Sequence, residues 1–155
     1  MNAISNLPAV NRSVIKDINL APSGHRKLEW VSGRMEVMNV LRKEFAATRP
    51  LEGYTVACCL HLEAKTGYLL QTLQAAGAEV IACASNPLST QDDVVAALVD
   101  SGITVYAIHG ESMEEYKRFL NLTLDHLPAA IIDDGADMVT MLHKERRDQA
   151  GKIIG

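Results

Sequence analysis

The sequence lacks the glycine-rich loops with which many proteins bind nucleotide phosphates. Its 155 residues contain neither Gly-x-Gly-x-x-Gly nor Gly-x-x-x-x-Gly-Lys-Ser/Thr, and the 10 glycines are spread singly. Such loops surround a phosphate with backbone N–H groups, so their absence argues against a dinucleotide or triphosphate site in this chain. The Gly-x-Ser-x-Gly turn of serine hydrolases and the Cys/His spacings of zinc sites are also missing, so we predict no metal site.

Long apolar runs and basic clusters are missing as well. No apolar stretch approaches the about 18 residues that a membrane helix needs, and the amino terminus has no secretory signal pattern. The net charge is −4 and no Lys/Arg block occurs, so neither nucleic acid nor a membrane is expected as a partner. A hydrophobic content of 48% indicates one ordinary folded domain.

Cysteine is scarce, and all three cysteines fall in stretches predicted to be buried strands: Cys58, Cys59 and Cys83. Such positions are typical of reduced thiols that fill space, which favours a cytoplasmic location. Neighbouring strand residues point to opposite faces of a sheet, so Cys58 and Cys59 are not expected to share a metal ion.

What the sequence does contain is a strand-then-helix unit repeated four times. The predicted strands are Tyr54–Leu60, Glu79–Ser85, Thr104–His109 and Ala129–Asp134. The helices that follow them are predicted at Glu63–Ala75, Gln91–Val99, Met113–His126 and Asp137–Arg147. Such repetition predicts a parallel sheet with right-handed crossovers. We therefore expect an α/β fold with an open parallel sheet in three layers, Rossmann-like or flavodoxin-like.

Two further segments flank the repeated units. Residues 1–22 are predicted to be irregular, and residues 23–155 to form a single α/β domain. That domain opens with one long helix over Gly24–Ala47, because apolar residues recur there at spacings of three and four. At the other end, Ile153 and Ile154 could begin a fifth strand.

Polar residues follow each predicted strand. After the first come His61, Glu63, Lys65 and Thr66; after the second, Ser89, Thr90 and Gln91; after the third, His109, Glu111 and Ser112; and at the fourth, Asp133, Asp134 and Asp137. The carboxyl ends of parallel strands share one edge of the sheet, which is the edge where ligands bind in open α/β sheets. This pattern predicts a ligand site there.

Several of these residues allow a structural as well as a functional interpretation. His61 could be a hydrogen-bonded residue at a strand end, or a group that moves protons near neutral pH. Glu63 and Lys65 could contact a ligand or simply form the solvated first turn of a helix. One of Asp133 and Asp134 could cap the next helix while the other faces the cleft, since two adjacent acids can take different roles.

The residues after the second predicted strand also allow a structural and a functional interpretation. Ser89 and Thr90 are plausible helix N-caps, with Asp92 and Asp93 completing capping boxes. Gln91 has no evident structural task and is the better candidate for contacting a ligand. The remaining candidates are expected to be solvated: His25, His126, His143 and the charged helix start from Glu111 to Glu115.

Four stretches of this sequence resemble the substrate-domain motifs of the adenosylhomocysteinase family: Cys59–Thr66 (CLHLEAKT), Asn86–Asp92 (NPLSTQD), Gly110–Tyr116 (GESMEEY) and Ile132–Gly135 (IDDG). They occur in the family's order, and the similarity runs from about Ile18 to the last residue. The resemblance implies the substrate-binding part of an enzyme that reversibly hydrolyses S-adenosyl-L-homocysteine to adenosine and L-homocysteine. In that family a bound NAD first oxidises the ribose 3′-hydroxyl, and homocysteine is then eliminated from C5′.

The resemblance also implies a role for individual residues. His61 and Asp134 would be acid/base groups at C5′, and Thr66 would hydrogen-bond the substrate. Glu63 and Lys65 stand where other members carry adenine-contacting residues of different types. Ser89 and Gln91 would support the same pocket.

What this sequence omits is the family's NAD-binding domain, so no cofactor is expected to bind this chain alone. The chain would then be an inactive part of a longer enzyme, which is a homo-oligomer when full length. The alternative is a stand-alone nucleoside-binding or regulatory module derived from that domain.

Overall fold

Four parallel strands form the middle layer of the protein, whose computed structural model describes residues 12–155. The strands are β1 (Thr55–Leu60), β2 (Glu79–Ala84), β3 (Thr104–Tyr106) and β4 (Ala130–Asp133). Their order across the sheet is β3-β2-β1-β4, and every neighbouring pair is parallel. The parallel α/β sheet predicted from the repeated strand-helix units is confirmed.

Helices cover both faces of this sheet and complete three layers. They are α1 (Ala21–Ser32), α2 (Glu36–Thr48), α3 (Ala64–Ala75), α4 (Asp92–Asp100), α5 (Met113–Leu124), α6 (Asp137–Glu145) and α7 (Arg147–Ala150). The core of one face contains residues of α1, α3 and α4, and the core of the other contains residues of α5 and α6. Within residues 12–155, no helix is long and apolar enough to cross a membrane.

Successive residues of β1 enter opposite cores. Cys58 packs in the core with α3 and α4, whereas Cys59 packs in the core with α5 and α6, as expected for adjacent strand positions. Both thiols are buried and free, and so is Cys83. Burial and the neighbouring Cys83 raise the pKa of Cys58 to about 12. A hydrogen bond with Cys83, together with burial, also raises the pKa of Cys59. These thiols therefore stay protonated and fill space.

The path of the chain reverses between β1 and β4. From β1 the chain runs through α3 to β2 and through α4 to β3, all on one side of β1. It then returns through α5, on the other face, to β4 on the opposite side of β1. In open parallel sheets such a reversal leaves a crevice beyond the carboxyl ends of the two strands that flank it, where ligands bind.

The long helix predicted over residues 24–47 is wrong in one respect: it is two helices, α1 and α2. Helix α1 begins three residues earlier, at Ala21, with Pro22 in its first turn, and ends at Ser32. Residues 33–35 then change direction, and Met35 has a non-helical backbone (φ −115°, ψ 62°). Gly33 has a low helix propensity, and the bend lets Met35 and Met38 pack against the core.

The two flanking segments both contact edges of the sheet. Residues 1–11 of the segment predicted to be irregular lie outside the described residues. Val14 forms a parallel bridge with Tyr106 of β3, and Ile18–Leu20 form a 3₁₀ turn. At the other edge, Ile154 N donates to Ala129 O (2.8 Å) and Ile131 N donates to Gly155 O (2.9 Å). The end of the chain therefore hydrogen-bonds beside β4, but Ile153 and Ile154, which could have begun a fifth strand, are not part of a strand in the described residues.

Strand β3 is shorter than predicted because a buried acid turns the chain after it. The Glu111 carboxylate accepts a hydrogen bond from Ile108 N at 2.8 Å, and the Glu111 side chain is buried, so its predicted solvated position is wrong. Its Oε1 atom makes no hydrogen bond within the described part of the chain. Burial, with the nearby charges of Glu115 and Asp92, raises the pKa of Glu111 to about 7.

Two glycines allow helices α1, α3 and α4 to approach closely. A Cβ atom on Gly24 of α1 would lie 1.9 Å from the backbone oxygen of Asp93, at the start of α4. A Cβ atom on Gly67 of α3 would lie 2.7 Å from a methyl carbon of Leu28. Because α4 follows the loop that carries Ser89 and Gln91, the Gly24 contact helps to fix that loop's position.

We predict that Gly24→Ala lowers the free energy of unfolding by about 1–3 kcal/mol, since the added methyl group collides with backbone rather than with a flexible side chain. Urea unfolding followed by circular dichroism measures this. Gly33→Ala is the matched control, because its Cβ would lie 3.6 Å from the nearest atom and its φ is −67°. Equal losses in the two variants would contradict the prediction.

The raised pKa of Glu111 predicts how stability depends on pH. Between the ordinary value of 4.5 and about 7, the folded state keeps a proton that the unfolded state releases. Stability from this group should therefore fall as the pH rises through that window, by on the order of 1–3 kcal/mol. Glu111→Gln should flatten the fall, measured by urea unfolding at several pH values. The exposed neighbour Glu114→Gln is the control, and an unchanged slope in Glu111→Gln would refute the prediction.

Candidate functional site

His61 lies at the reversal point of the sheet, one residue after the end of β1. Its Nδ1 atom is 2.7 Å from Ser89 Oγ, and its Nε2 atom is 3.0 Å from Asp134 Oδ2. Ser89 belongs to the β2–α4 loop and Asp134 to the β4–α6 loop, so three loops meet at one imidazole. The side chains of His61 and Asp134 are about half exposed (48% and 51%), which leaves the pair accessible to a ligand.

The chain leaves β1 in a tight turn that is anchored from within. Leu62 is fully buried, and Glu63 N donates to His61 O at 2.9 Å. Glu63 is the N-cap of α3, where its carboxylate accepts a hydrogen bond from Thr66 N at 3.1 Å. Lys65 is exposed on the first turn of α3. This turn therefore directs His61 outward while Glu63 faces the start of the helix.

The N-cap predicted at Ser89 or Thr90 is wrong, because helix α4 begins at Asp92 and its N-cap position is Gln91. The preceding loop folds on itself: Ser89 N and Ser89 Oγ both donate to Asn86 O, at 3.2 and 3.0 Å. This turn carries Ser89 away from the helix and toward His61. Thr90 is buried instead, and its hydroxyl has no hydrogen-bond partner among the described residues.

Gln91 has structural contacts that the sequence did not reveal. Its side-chain oxygen accepts a hydrogen bond from Lys27 Nζ at 2.9 Å, and its backbone N donates to Leu62 O at 2.9 Å. Lys27 also contacts Asp93 Oδ1 at 2.9 Å. Burial raises the pKa of Asp93, but hydrogen bonds from Lys27 and Ser23 outweigh this and lower it. The β2–α4 loop is thus tied both to the His61 turn and to α1.

The two adjacent acids at the end of β4, Asp133 and Asp134, take different positions, as the sequence suggested. Asp133 Oδ2 accepts a hydrogen bond from Val139 N at 2.9 Å, which caps the first turn of α6. Asp134 N donates to Cys59 O at 3.1 Å, so this residue continues the pairing of β4 with β1. That pairing brings the Asp134 carboxylate beside His61.

The rings of three of the other four histidines, His25, His109 and His126, have partners other than His61. His25 Nε2 is 2.7 Å from Asp100 Oδ2, and His143 is exposed on α6. His126 Nε2 lies 2.8 Å from the Tyr106 hydroxyl, so the expectation that His126 is solvated is wrong. Its partial burial lowers its pKa. His109 ties two loops together, since its N donates to Asp92 Oδ1 and its Nδ1 is 2.9 Å from Thr90 O.

Next to the His61 turn lies an open groove of about 390 Å³ between α1 and the start of α3. Its lining combines the Trp30 ring with charged side chains, among them Lys27, Glu63 and Lys65. Trp30 is 64% exposed, which is unusual for an indole without a partner surface. Within residues 12–155, no cluster of three or more His, Cys, Asp or Glu side chains is placed to hold a metal ion.

The sequence predicted the residues that meet at the sheet edge, but not the residues whose contacts keep them in position. Lys27 lies more than 60 residues from its partners Gln91 and Asp93, and no local pattern links them. His109 was identified only as a strand-end residue. Glu111 falls in a predicted charged helix start, and no local pattern indicated that its carboxylate would be buried and accept from Ile108 N.

Comparison with known proteins gives an independent line of evidence. Residues 12–154 match the model of the S-adenosyl-L-homocysteine hydrolase family. Adenosylhomocysteinase from Pyrococcus abyssi is 56% identical over 141 residues, which is 91% of this chain and 33% of the relative. Adenosylhomocysteinase from Thermococcus kodakarensis is also 56% identical over 141 residues, 91% of this chain and 34% of the relative.

A relative with a different name is nearly as similar. S-inosyl-L-homocysteine hydrolase from Methanococcus maripaludis is 50% identical over 143 residues, which is 92% of this chain and 34% of the relative. The chain thus spans about a third of the length of the curated relatives it matches. Together with the α/β sheet and the residues at its reversal point, these matches show that the chain belongs to the S-adenosyl-L-homocysteine hydrolase family.

Proposed function

We propose that this chain is the substrate-binding part of an enzyme that reversibly hydrolyses a purine-nucleoside thioether of L-homocysteine. The substrate is S-adenosyl-L-homocysteine or its inosyl analogue, since relatives of both names are at least 50% identical to this chain. The observation that carries the proposal is the contact of His61 with both Asp134 and Ser89 at the reversal point of the sheet. Residues 23–155 form the domain in this proposal.

The groove beside His61 supports binding of the nucleoside base. A purine ring is flat and apolar on its faces and polar at its edge, which suits a groove with an indole and charged side chains. Glu63 and Lys65 are the residues of this groove that could hydrogen-bond the base edge. Thr66 and Gln91, beside them, would contact the rest of the nucleoside.

The proton chemistry at C5′ follows from the two groups that face each other. When the C5′–S bond breaks, its electron pair leaves with sulfur, and the resulting thiolate needs a proton. When water adds to the same carbon, it must lose one. His61 and Asp134 lie within hydrogen-bond distance of each other and are half exposed, so in this proposal they give the first proton and take the second.

NAD supplies hydride chemistry in this family, but the residues of this chain do not fit a dinucleotide. A pyrophosphate binds at a helix N-terminus, and here each N-terminus at the sheet edge already carries the chain's own acids. Those acids are Glu63 at α3, Asp92 and Asp93 at α4, Glu114 and Glu115 at α5, and Asp133 and Asp137 at α6. We infer that NAD is held by parts of the enzyme beyond this chain, and that the complete enzyme is a cytoplasmic homo-oligomer.

The 155-residue chain by itself should be inactive. Purified chain with added NAD should show no hydrolysis of either nucleoside thioether, because it has no place for the dinucleotide. Turnover is measured by detecting free homocysteine with a thiol reagent. Hydrolysis above a no-protein control would contradict this prediction. Calorimetry with adenosine and inosine tests the alternative: tight binding without turnover would favour a stand-alone nucleoside-binding module.

A chimera tests His61 in a complete enzyme. In this chimera, residues 12–154 of this chain replace the matching segment of the Pyrococcus abyssi relative. The chimera should hydrolyse S-adenosyl-L-homocysteine or the inosyl thioether. In it, His61→Asn should lower kcat by on the order of 10²–10⁴-fold, which is the usual effect of losing a positioned acid/base group. Steady-state rates with both substrates measure the effect and identify the preferred base.

His143→Asn in the same chimera is the matched control, because His143 is an exposed histidine on α6 away from the sheet edge. It should leave kcat within about twofold, as for most exposed substitutions. If both histidine variants lose activity equally, or if neither does, the proposed role of His61 is wrong.

A further inference from the structure

The hydrogen bonds around His61 specify where its protons are. We infer that Ser89 positions His61 by accepting a hydrogen bond from Nδ1–H, so that the His61–Asp134 contact holds a proton on Nε2 that can be given to the substrate. Ser89 is then a positioning residue that acts through His61 rather than a group that contacts substrate. This inference deepens the proposed function and takes its chemical meaning from it.

The Ser89 hydroxyl has a single proton and two neighbouring groups. Ser89 Oγ lies 3.0 Å from Asn86 O and 2.7 Å from His61 Nδ1. A carbonyl oxygen can only accept a hydrogen bond and the hydroxyl has one proton, so in this inference that proton is directed to Asn86 O. The contact with His61 is then a hydrogen bond only if Nδ1 carries a proton and donates it to Ser89 Oγ.

The surrounding loop keeps the hydroxyl in this orientation. Asn86 O also accepts from Ser89 N at 3.2 Å, and Asn86 Oδ1 accepts from Leu88 N at 2.8 Å, which closes the turn at both of its ends. On the far side, Gly110 N donates to Pro87 O at 2.9 Å. The turn is thus held by four hydrogen bonds that do not involve His61.

The second ring nitrogen faces a group that has no proton of its own. Nε2 of His61 lies 3.0 Å from Asp134 Oδ2, and an ionised carboxylate only accepts. With Nδ1 already protonated, a neutral imidazole would place a lone pair against the carboxylate. A proton on Nε2 removes this conflict and forms an ion pair.

Neighbouring charged groups leave this arrangement undisturbed. Glu63, two residues away, directs its carboxylate to Thr66 N, and Asp133 directs its own to Val139 N. Asp92, on the element that follows Ser89, is paired with Lys16 and accepts from His109 N. Lys65 is exposed on α3. Asp134 is therefore the charged group whose side chain contacts Nε2 of His61.

With protons on both ring nitrogens, His61 first gives a proton to the substrate and then accepts one from water. The Nε2 proton can pass to the thiolate as the C5′–S electron pair becomes the lone pair of sulfur and then the S–H bond. His61 is left neutral, with its remaining proton on Nδ1 and still bonded to Ser89. Its free Nε2 lone pair can then accept the proton that water releases when it adds at C5′. Ser89 thus prevents the imidazole from turning over between the two steps.

The test is ¹⁵N NMR of the 155-residue chain labelled at histidine, at pH 7, with the His61 signals assigned by their loss in His61→Gln. Wild-type His61 should have both ring nitrogens protonated. In Ser89→Ala, Nδ1 should lose its proton while Nε2 keeps one, because Nδ1 no longer has an acceptor. In Asp134→Asn, the single proton should remain on Nδ1, since the amide can donate to Nε2.

Two further variants separate positioning from a general structural effect. Ser32→Ala removes a serine hydroxyl that also donates to a backbone carbonyl, at 2.7 Å, but on α1. It should leave the His61 signals unchanged. Ser89→Thr keeps a hydroxyl at the site and should restore the wild-type signals.

The inference is overturned if wild-type His61 at pH 7 carries a proton on one nitrogen alone, or if Nδ1 stays protonated in Ser89→Ala. A serine that only contacted substrate would give this second result. Because the spectra need neither substrate nor turnover, they are independent of the chimera's activity. An inactive chimera with the predicted spectra would refute the proposed function, and an active chimera without them would refute the role of Ser89.

Discussion

The site depends on the pairing of β4 with β1. In this pairing Cys59 lies opposite Asp133, and Asp134 N bonds to Cys59 O at 3.1 Å. His61 follows the last residue of β1, and Asp134 follows the last residue of β4. Nε2 of His61 and Oδ2 of Asp134 are 3.0 Å apart. The two residues are 73 positions apart in the sequence, yet a backbone register fixes their separation. Without β4 beside β1, the imidazole would lose its carboxylate partner and keep only its contact with Ser89.

A second set of contacts brings the Ser89 loop to the same place. The loop is joined to the His61 turn by the bond from Gln91 N to Leu62 O, and to α1 by Lys27. Gly24 lets α1 approach the start of α4 so closely that any side chain there would collide with backbone. The amino-terminal helices therefore support the site indirectly, although none of their residues contacts His61. The groove beside Trp30 is a product of this same packing.

The distribution of charge at the sheet edge argues against a phosphate group there. Every helix N-terminus at the sheet edge carries its own acid, which satisfies the backbone N–H groups and opposes a phosphate. In the proposed function, such an edge binds a nucleoside thioether without phosphate groups rather than a dinucleotide. The family membership shown by residues 12–154 agrees with a division of the enzyme into parts with separate tasks, and the chain spans about a third of its relatives.

The sequence by itself determined the fold class, the order of the four strand-helix units and the candidates at the sheet edge, because hydrophobic periodicity and short motifs are local. It could not give the strand order, so the partnership of His61 with Asp134 came only from the tertiary structure. Local capping rules favoured Ser89 and Thr90 as helix caps, but the turn at Asn86 and the contact with His61 outweighed them. The burial of Glu111 and the contacts of Lys27 were likewise decided by distant packing, which no local pattern encodes.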